Sequence, residues 1–236
     1  MSEATKSHGS DDFSYDRYAL VAGQPVSREF VDLYRTVFED PPWNEYRACL
    51  QCPGLRGSPK RKFSRVEASQ IPGSNCPTCT TDLVPYFSDD DIVSDISTCL
   101  NGKNPSCWFV RYQGELIGFT YGAEMTADEL EHDLRSPGLA QSLLNAFGSG
   151  KRYAYQDEIA VRSDFRKRGL AKELFERRLQ DFRSMHIDIG VVRTKTLPQS
   201  VTFSWYVRRQ YAVVASYQDA DARVVLAASF DTLEGM

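Results

Sequence analysis

The stretch Tyr155-Gln156-Asp157-Glu158-Ile159-Ala160-Val161-Arg162-Ser163-Asp164-Phe165-Arg166-Lys167-Arg168-Gly169-Leu170-Ala171 passes from a strand pattern to a helix start through a short basic loop. Residues 155–161 are rich in β-formers and predict a strand. Residues 169–185 place Leu170, Leu174, Phe175, Leu179 and Phe182 at helical spacing and predict an amphipathic helix. The first turn of such a helix carries unpaired N–H groups and the positive end of the dipole, so a diphosphate can sit there. Gly169 and Ala171 leave room for close approach, and Arg166, Lys167 and Arg168 add charge.

Working outward, the pattern is a mixed α/β one. Residues 18–22 read as a short strand. Ser27 then stands where it can cap a helix whose apolar positions are Phe30, Val31, Leu33, Tyr34, Val37 and Phe38, and Pro41-Pro42 ends that helix. Ser88 followed by Asp89, Asp90 and Asp91 predicts another helix start, with negative charge suited to the dipole. Residues 106–112 and 116–121 flank Gln113-Gly114 as a hairpin. A helical stretch over 127–147 should break at Pro137. After the strand and helix of the central stretch come a strand at 187–193, a short helix at 200–208, and strands at 212–217 and 223–229 joined by a polar turn, Gln218-Asp219-Ala220-Asp221. There is no internal repeat.

The 236 residues suffice for one well-buried domain carrying a small extra module. Hydrophobic residues at 42% and charged residues at 25% fit a globular chain rather than a disordered or fibrous one. A net charge of −4 gives no global reason to expect a nucleic-acid or membrane partner. No apolar run approaches the roughly 18 to 20 residues of a spanning helix, and residues 1–12 form a polar tail without a signal core, so a cytoplasmic location is expected.

Arg166-x-x-Gly169-x-Ala171, preceded by a strand ending in Val161, resembles the coenzyme A signature of the GNAT superfamily of N-acetyltransferases, and the order of elements agrees. The resemblance covers residues 18–42 and 88–236. It implies a mostly antiparallel central sheet flanked by helices, with acetyl-CoA as cosubstrate. The donor site would comprise Arg166, Lys167, Arg168, Gly169, Leu170 and Ala171. Ile159 and Val161 would hold the pantetheine through their backbone, where two strands splay apart at a bulge. The domain is expected to comprise residues 13–44 and 86–236.

Acetyl transfer to an amine needs a group to accept a proton, because an alkylamine is mostly protonated at neutral pH. The resemblance assigns that role to Glu158, directly or through water. Asp157 points to the opposite face of a regular strand, although a bulge could exchange the two. A salt-bridged or solvated Glu158 is the bland alternative. Tyr206 stands where the family often has a tyrosine that protonates the departing thiolate. Gln199 and Gln210-Tyr211 depart from the family's Asn and Gly-Phe at the flanking positions, and a packed Tyr206 with a satisfied hydroxyl is the alternative. His8 lies in the tail, and His132 and His186 read as surface or helix-end residues.

Residues 45–85 lose apolar periodicity and read as an insertion. Cys49-x2-Cys52 and Cys76-x2-Cys79 have the spacing of a closed, structural four-thiolate zinc site of the ribbon or knuckle type, and the segment has few apolar residues with which to fold unaided. Redox-active dithiols or coincidence are the alternatives. Cys99 and Cys107 read as ordinary buried residues. Between the pairs lie Arg56, Lys60, Arg61, Lys62 and Arg65 against a lone Glu67. These cations offset the −2 charge of the thiolate site or stay solvated. The sharper reading is an anionic partner there, such as RNA, another nucleic acid, an acidic protein or an anionic acceptor. The leading expectation is thus a zinc-stapled N-acetyltransferase for a small-molecule or peptide amine. The alternative is a non-catalytic acyl-CoA-binding protein whose zinc insertion mediates an interaction.

Overall fold

The computed structural model describes residues 12–21, 23–53, 60–196, 201–218 and 222–233. In chain order the elements begin with β1 (Phe13–Arg17), α1 (Arg28–Glu39), β2 (Arg47–Cys49), β3 (Arg61–Phe63), α2 (Arg65–Ser69) and β4 (Val84–Pro85). Then come α3 (Asp89–Leu100), β5 (Lys103–Tyr112), β6 (Glu115–Met125), α4 (Ala127–Asp133), α5 (Leu139–Phe147) and β7 (Tyr153–Val161). The last are α6 (Leu170–Ser184), β8 (Ile189–Lys195), α7 (Val201–Val207), β9 (Ala212–Ser216) and β10 (Arg223–Ser229).

One seven-stranded sheet runs β1-β5-β6-β7-β8-β10-β9, and every pairing in it is antiparallel except β7 with β8. The β5–β6 hairpin closes with Tyr112 opposite Glu115, and Gln113 and Gly114 both take positive φ (50° and 85°), the primed turn that suits strand twist. Alternation along β5 feeds two cores. Cys107 and Phe109 join Phe30, Tyr34, Ile92 and Ile96 of α1 and α3, whereas Val110 joins Leu170 and Leu174 of α6. Each fully buried Phe or Ile contributes about 1.5–3 kcal/mol, so the sheet is held from both faces.

The first strand lies earlier than expected. Phe13 and Tyr15 pack beside Phe165 and Leu170 while Ser14 and Asp16 alternate outward, and this edge strand pairs with β5. Tyr18 and Leu20 instead pack as irregular chain on the α1 core, with Tyr18 stacked on Phe109 at 4.6 Å. Ser27 occupies the α1 cap position, but its hydroxyl makes no capping bond. Ser88 does cap α3, in a capping box with Asp91. The turn at 218–221 falls largely outside the described residues, as do Gln199, Arg56, His8 and residues 1–11 of the polar tail.

A second sheet, β3-β2-β4, lies between the strands of the first in sequence. Its small core is Cys49, Cys52, Phe63, Cys76 and Leu83.

Candidate active site

The site grows from one irregularity in the central strands. β7 pairs with β8 only at Tyr153↔Ile189, Ala154↔Gly190 and Tyr155↔Val191, and from Gln156 onward the two strands part. At the same point the β6–β7 register jumps: Tyr121 faces Glu158 and Ala123 faces Tyr155, so Gln156 and Asp157 together oppose Gly122. That is a β-bulge, and it requires Gly122. A Cβ there would lie 2.3 Å from the Tyr155 carbonyl oxygen.

The bulge breaks the simple alternation that sends Asp157 and Glu158 to opposite faces. Both line one cavity of about 720 Å3, walled by Tyr34, Phe87, Tyr121 and Tyr155. Asp95 and Asp133 border it as well, and Arg193 is the cation facing Asp157. None of these four carboxylates makes a hydrogen bond or ion pair with a described residue. Burial pushes Glu158 well above the ordinary glutamate value, and the neighbouring Asp157 adds to the shift. Burial likewise pushes Asp157 up to about 7, opposed by Arg193 and reinforced by Asp95 and Asp133. Two carboxyls so close titrate as a unit.

Below the bulge lies a group that sequence reasoning missed. Arg178 of α6 is fully buried and has no carboxylate partner among the described residues. Its Nη1 donates to the carbonyls of Tyr121 and Glu158, both at 2.9 Å, and its Nη2 to Gln156 Oε1 at 2.9 Å and Tyr206 Oη at 3.4 Å. Gln156 Nε2 in turn donates to Tyr211 Oη. Tyr206 is 1% exposed, with its ring against Phe175, Trp205 and Tyr211. Its hydroxyl meets a guanidinium rather than the backbone acceptor that simple packing would supply. The available signal was spacing: Arg178 falls at the four-residue interval of Leu170, Leu174 and Phe182, a core position.

The basic loop behaves unevenly. Gly169 takes φ 82° before α6, and no side chain caps that helix, so its first N–H groups stay open. Arg166 is turned inward, with Nε donating to the Val161 carbonyl (3.0 Å) and Nη1 to the Pro41 carbonyl (2.7 Å), and so shapes the loop. Lys167, Arg168, Gly169 and Ala171 are exposed, whereas the Leu170 side chain belongs to the core and offers only its backbone. Ile159 is half-buried and Val161 buried, on the segment of β7 that has left β8.

Cys49, Cys52, Cys76 and Cys79 converge, all four Sγ atoms lying within 4.8 Å of one another and none in a disulfide. Cys107 is buried in the α1 core as expected, while Cys99 borders the acidic cavity. Four cations of this segment have partners within the chain, although Lys62 and Arg65 remain exposed. Lys60 donates to the Tyr86 carbonyl and covers the Tyr86 ring at 4.0 Å, and Lys62 reaches the Trp43 carbonyl and Glu45. Arg65 pairs with Glu39, and Arg61 donates to Thr78. Glu67 caps α2 through Ser64.

A strand pair that parts at a bulge beside an uncapped helix N-terminus defines the acyltransferase type of α/β fold. The chain belongs to the acetyltransferase (GNAT) family, whose sequence profile matches residues 76–200, more than half of its length. A crystal structure of a protein from Pyrococcus horikoshii is similar with a TM-score of 0.52 at 11% identity, covering 92% of this chain and 98% of that one. A GNAT family acetyltransferase from Elizabethkingia anophelis with acetyl-CoA bound is similar at 10% identity and TM-score 0.43, covering 93% and 99%. The ribosomal-protein-S18-alanine N-acetyltransferase from Escherichia coli is similar over 62% of this chain and 79% of that one, at 12% identity and TM-score 0.42. At 11% identity the likeness to the Pyrococcus horikoshii protein is one of fold alone. No curated protein sequence matches the chain. Among the described residues no helix is long and apolar enough to cross a membrane.

Proposed function

We propose that the protein transfers the acetyl group of acetyl-CoA to a primary amine by direct attack, with Glu158 as base and Tyr206 as acid. The observation that carries this reading is the pair Asp157 and Glu158, unpaired, raised in pKa and turned into one cavity by the bulge. A general base works best when it titrates near the operating pH, and burial moves this pair in that direction. The amine nitrogen attacks the thioester carbonyl and its proton passes to Glu158. The tetrahedral intermediate then collapses, the C–S electron pair leaves on sulfur, and sulfur takes the Tyr206 proton.

The diphosphate of the donor would rest on the open N–H groups of α6, with Lys167 and Arg168 beside it and Arg166 holding the loop. The pantetheine would run along Ile159 and Val161, whose backbone is released where β8 departs. The acceptor would enter the cavity on the Tyr34 side. Asp95 and Asp133 at its border favour an acceptor that is cationic overall, a small-molecule amine or a basic peptide end, over a carboxylate-bearing one.

The four cysteines fit a structural zinc ion. Tetrahedral thiolates at about 2.3 Å from the metal stand about 3.8 Å apart. The Cys52–Cys76 and Cys49–Cys79 sulfur separations are 3.8 and 3.4 Å, and a ring of Phe63, Leu83 and Ile71 shields the cluster. Bound there, zinc would fold residues 45–85 into a module inserted between 13–44 and 86–236. The pairing of Lys60, Lys62 and Arg65 within the chain favours a structural duty for these cations over recruitment of nucleic acid or an acidic protein.

Thiol release from acetyl-CoA with a panel of amines tests the reading. Turnover with at least one cationic amine, lost about 10- to 1000-fold in Glu158→Gln with acetyl-CoA affinity kept, is the expected result. Thermal stabilisation by coenzyme A without thiol release from any amine would leave a non-catalytic acyl-CoA-binding protein instead.

A further inference from the structure

The buried guanidinium of Arg178 has a consequence for proton direction. Arginine only donates hydrogen bonds, so each of its partners must accept. Tyr206 Oη therefore receives a bond from Nη2, and the hydroxyl's own proton is not used in that contact. The Glu158 carbonyl, which also accepts from Thr120 Oγ1, is held on the α6 side of β7, while the Glu158 carboxyl lines the cavity. Gln156 Oε1 accepts as well, which turns its amide so that Nε2 donates to Tyr211.

Burying a cation without an anion costs several kcal/mol unless its hydrogen bonds are met. Here four are met, all by neutral acceptors clustered where β7 leaves β8, and Nε has no partner. An apolar residue matching Leu174 and Phe182 would leave the carbonyls of Tyr121 and Glu158 and Gln156 Oε1 without these donors, so the guanidinium has a structural duty as well. The cluster lies where β7 leaves β8, beside the strand segment along which the proposed pantetheine would run.

We propose that Arg178 is a positioning residue for acetyl transfer: by donating into Tyr206 Oη and the Glu158 carbonyl, it leaves the tyrosine proton free for the departing thiolate and keeps the bulge in shape. This rests on Tyr206 being the acid. In the step, the C–S bond breaks with its electron pair on sulfur and the Tyr206 O–H proton moves to sulfur. The tyrosinate is stabilised by the guanidinium until solvent returns the proton that Glu158 took from the amine. Arg178 also acts to lower the Tyr206 pKa against the dominant effect of burial.

The experiment is a double-mutant cycle on the full chain, read as thiol release with saturating acetyl-CoA and a responsive amine. Arg178→Met keeps side-chain length without donors, and Arg178→Lys keeps charge and donors. Arg178→Met should lower kcat about 100-fold while changing the acetyl-CoA KM less than about 3-fold, and Arg178→Lys should recover at least about a tenth of the lost rate. In a Tyr206→Phe background, which is itself slow, the part of the loss carried by Tyr206 is already gone, so Arg178→Met should cost at least about 10-fold less than it does beside Tyr206, leaving only what the bulge contributes. Equal cost in both backgrounds overturns the proposal and leaves Arg178 as a fold determinant. Tyr206→Phe at full kcat overturns the acid assignment and this proposal together. If Arg178→Met fails to give a cooperative melt, the cycle is run with Arg178→Lys, and additivity there overturns the proposal equally.

Discussion

Gly122→Ala isolates the bulge from the chemistry of the carboxylates, because it adds one methyl group and removes no functional atom. That methyl would start 2.3 Å from the Tyr155 carbonyl oxygen, 3.2 Å from Gln156 Cα and 3.3 Å from the Phe182 ring. Ordinary contact begins near 3.4 Å, so β6 and β7 must separate by more than about 1 Å or the bulge must rearrange. The first contact is backbone, which no rotamer change can relieve. Overpacking of this kind costs about 1–3 kcal/mol. At about 2–4 °C per kcal/mol for a chain of this size, the melting temperature should fall by about 2–12 °C. Displacement of about 1 Å at a catalytic group costs about 100-fold, so kcat should fall by that order even well below the melting temperature. Differential scanning calorimetry and steady-state thiol release on the same preparation measure both. A variant with unchanged melting and unchanged kcat would falsify the bulge as the element that aims Asp157 and Glu158.

Loss of the base should also show in the pH profile. With Glu158 and Asp157 both raised, kcat/KM should climb as pH rises through the pair's titration around neutrality, and Glu158→Gln should remove that limb. Asp157→Asn takes away the like charge that raises Glu158, so the limb should move to lower pH; a shift to higher pH contradicts the assignment. Glu124, which accepts from Arg152, Lys103 and Asn104, is lowered to about 2 against an ordinary 4.5. Its contribution to stability is present above pH 4.5 and lost as pH falls toward 2. Glu124→Gln should therefore flatten the acid side of the stability curve, measured by urea unfolding at pH 3 and 7. Metal analysis should return one zinc ion per chain, and a strong chelator or Cys76→Ser should lower the melting temperature; full stability without metal contradicts a structural zinc.

The parts legible in the sequence are those with local causes. The α6 start was visible because glycine, basic charge and a helical apolar stripe coincide within a few residues, and the Gln113-Gly114 turn because glycine is free to take positive φ. The cysteine cluster was visible because thiolate spacing is itself the signal. What was not legible depends on alignment between distant strands. Nothing near Asp157 in sequence announces that Gly122 will leave a gap opposite it, so the shared face of Asp157 and Glu158 had to await the β6–β7 register. Phe13 and Tyr15 as an edge strand posed the same difficulty, since Tyr18 and Leu20 are just as apolar and only the groove beside Phe165 distinguishes them. Arg178 gives no local sign of burial, because an arginine is ordinarily exposed, and only its four-residue spacing from Leu174 and Phe182 marks it as a core position.

The cysteine segment is joined to the wall of the acidic cavity by a short physical chain. Lys60 precedes β3, donates to the Tyr86 carbonyl and lies over the Tyr86 and Phe87 rings at 4.0 and 5.6 Å. Phe87 stands edge-on to Tyr34 and Phe38 at 5.7 and 6.0 Å, and Tyr34 and Phe87 both wall the cavity that holds Glu158. Arg65 and Lys62 brace the same junction at Glu39 and Glu45. The exposed pairs among these are worth little singly, about 0–1 kcal/mol each. Their effect comes from the partner elements, which are the end of α1 and the chain leading into α3, both packed on the site. On the proposed zinc site, a metal that orders β2 and β3 would therefore also fix the position of Phe87. The basic loop before α6 is tied to the other end of this junction, through Arg166 to the Pro41 carbonyl and Ser163 to Asp40. Among the described residues the end of α1 thus joins the cysteine segment, the wall of the acidic cavity and the basic loop before α6, and on the proposed function an acceptor that pressed on Phe87 would be felt at all three.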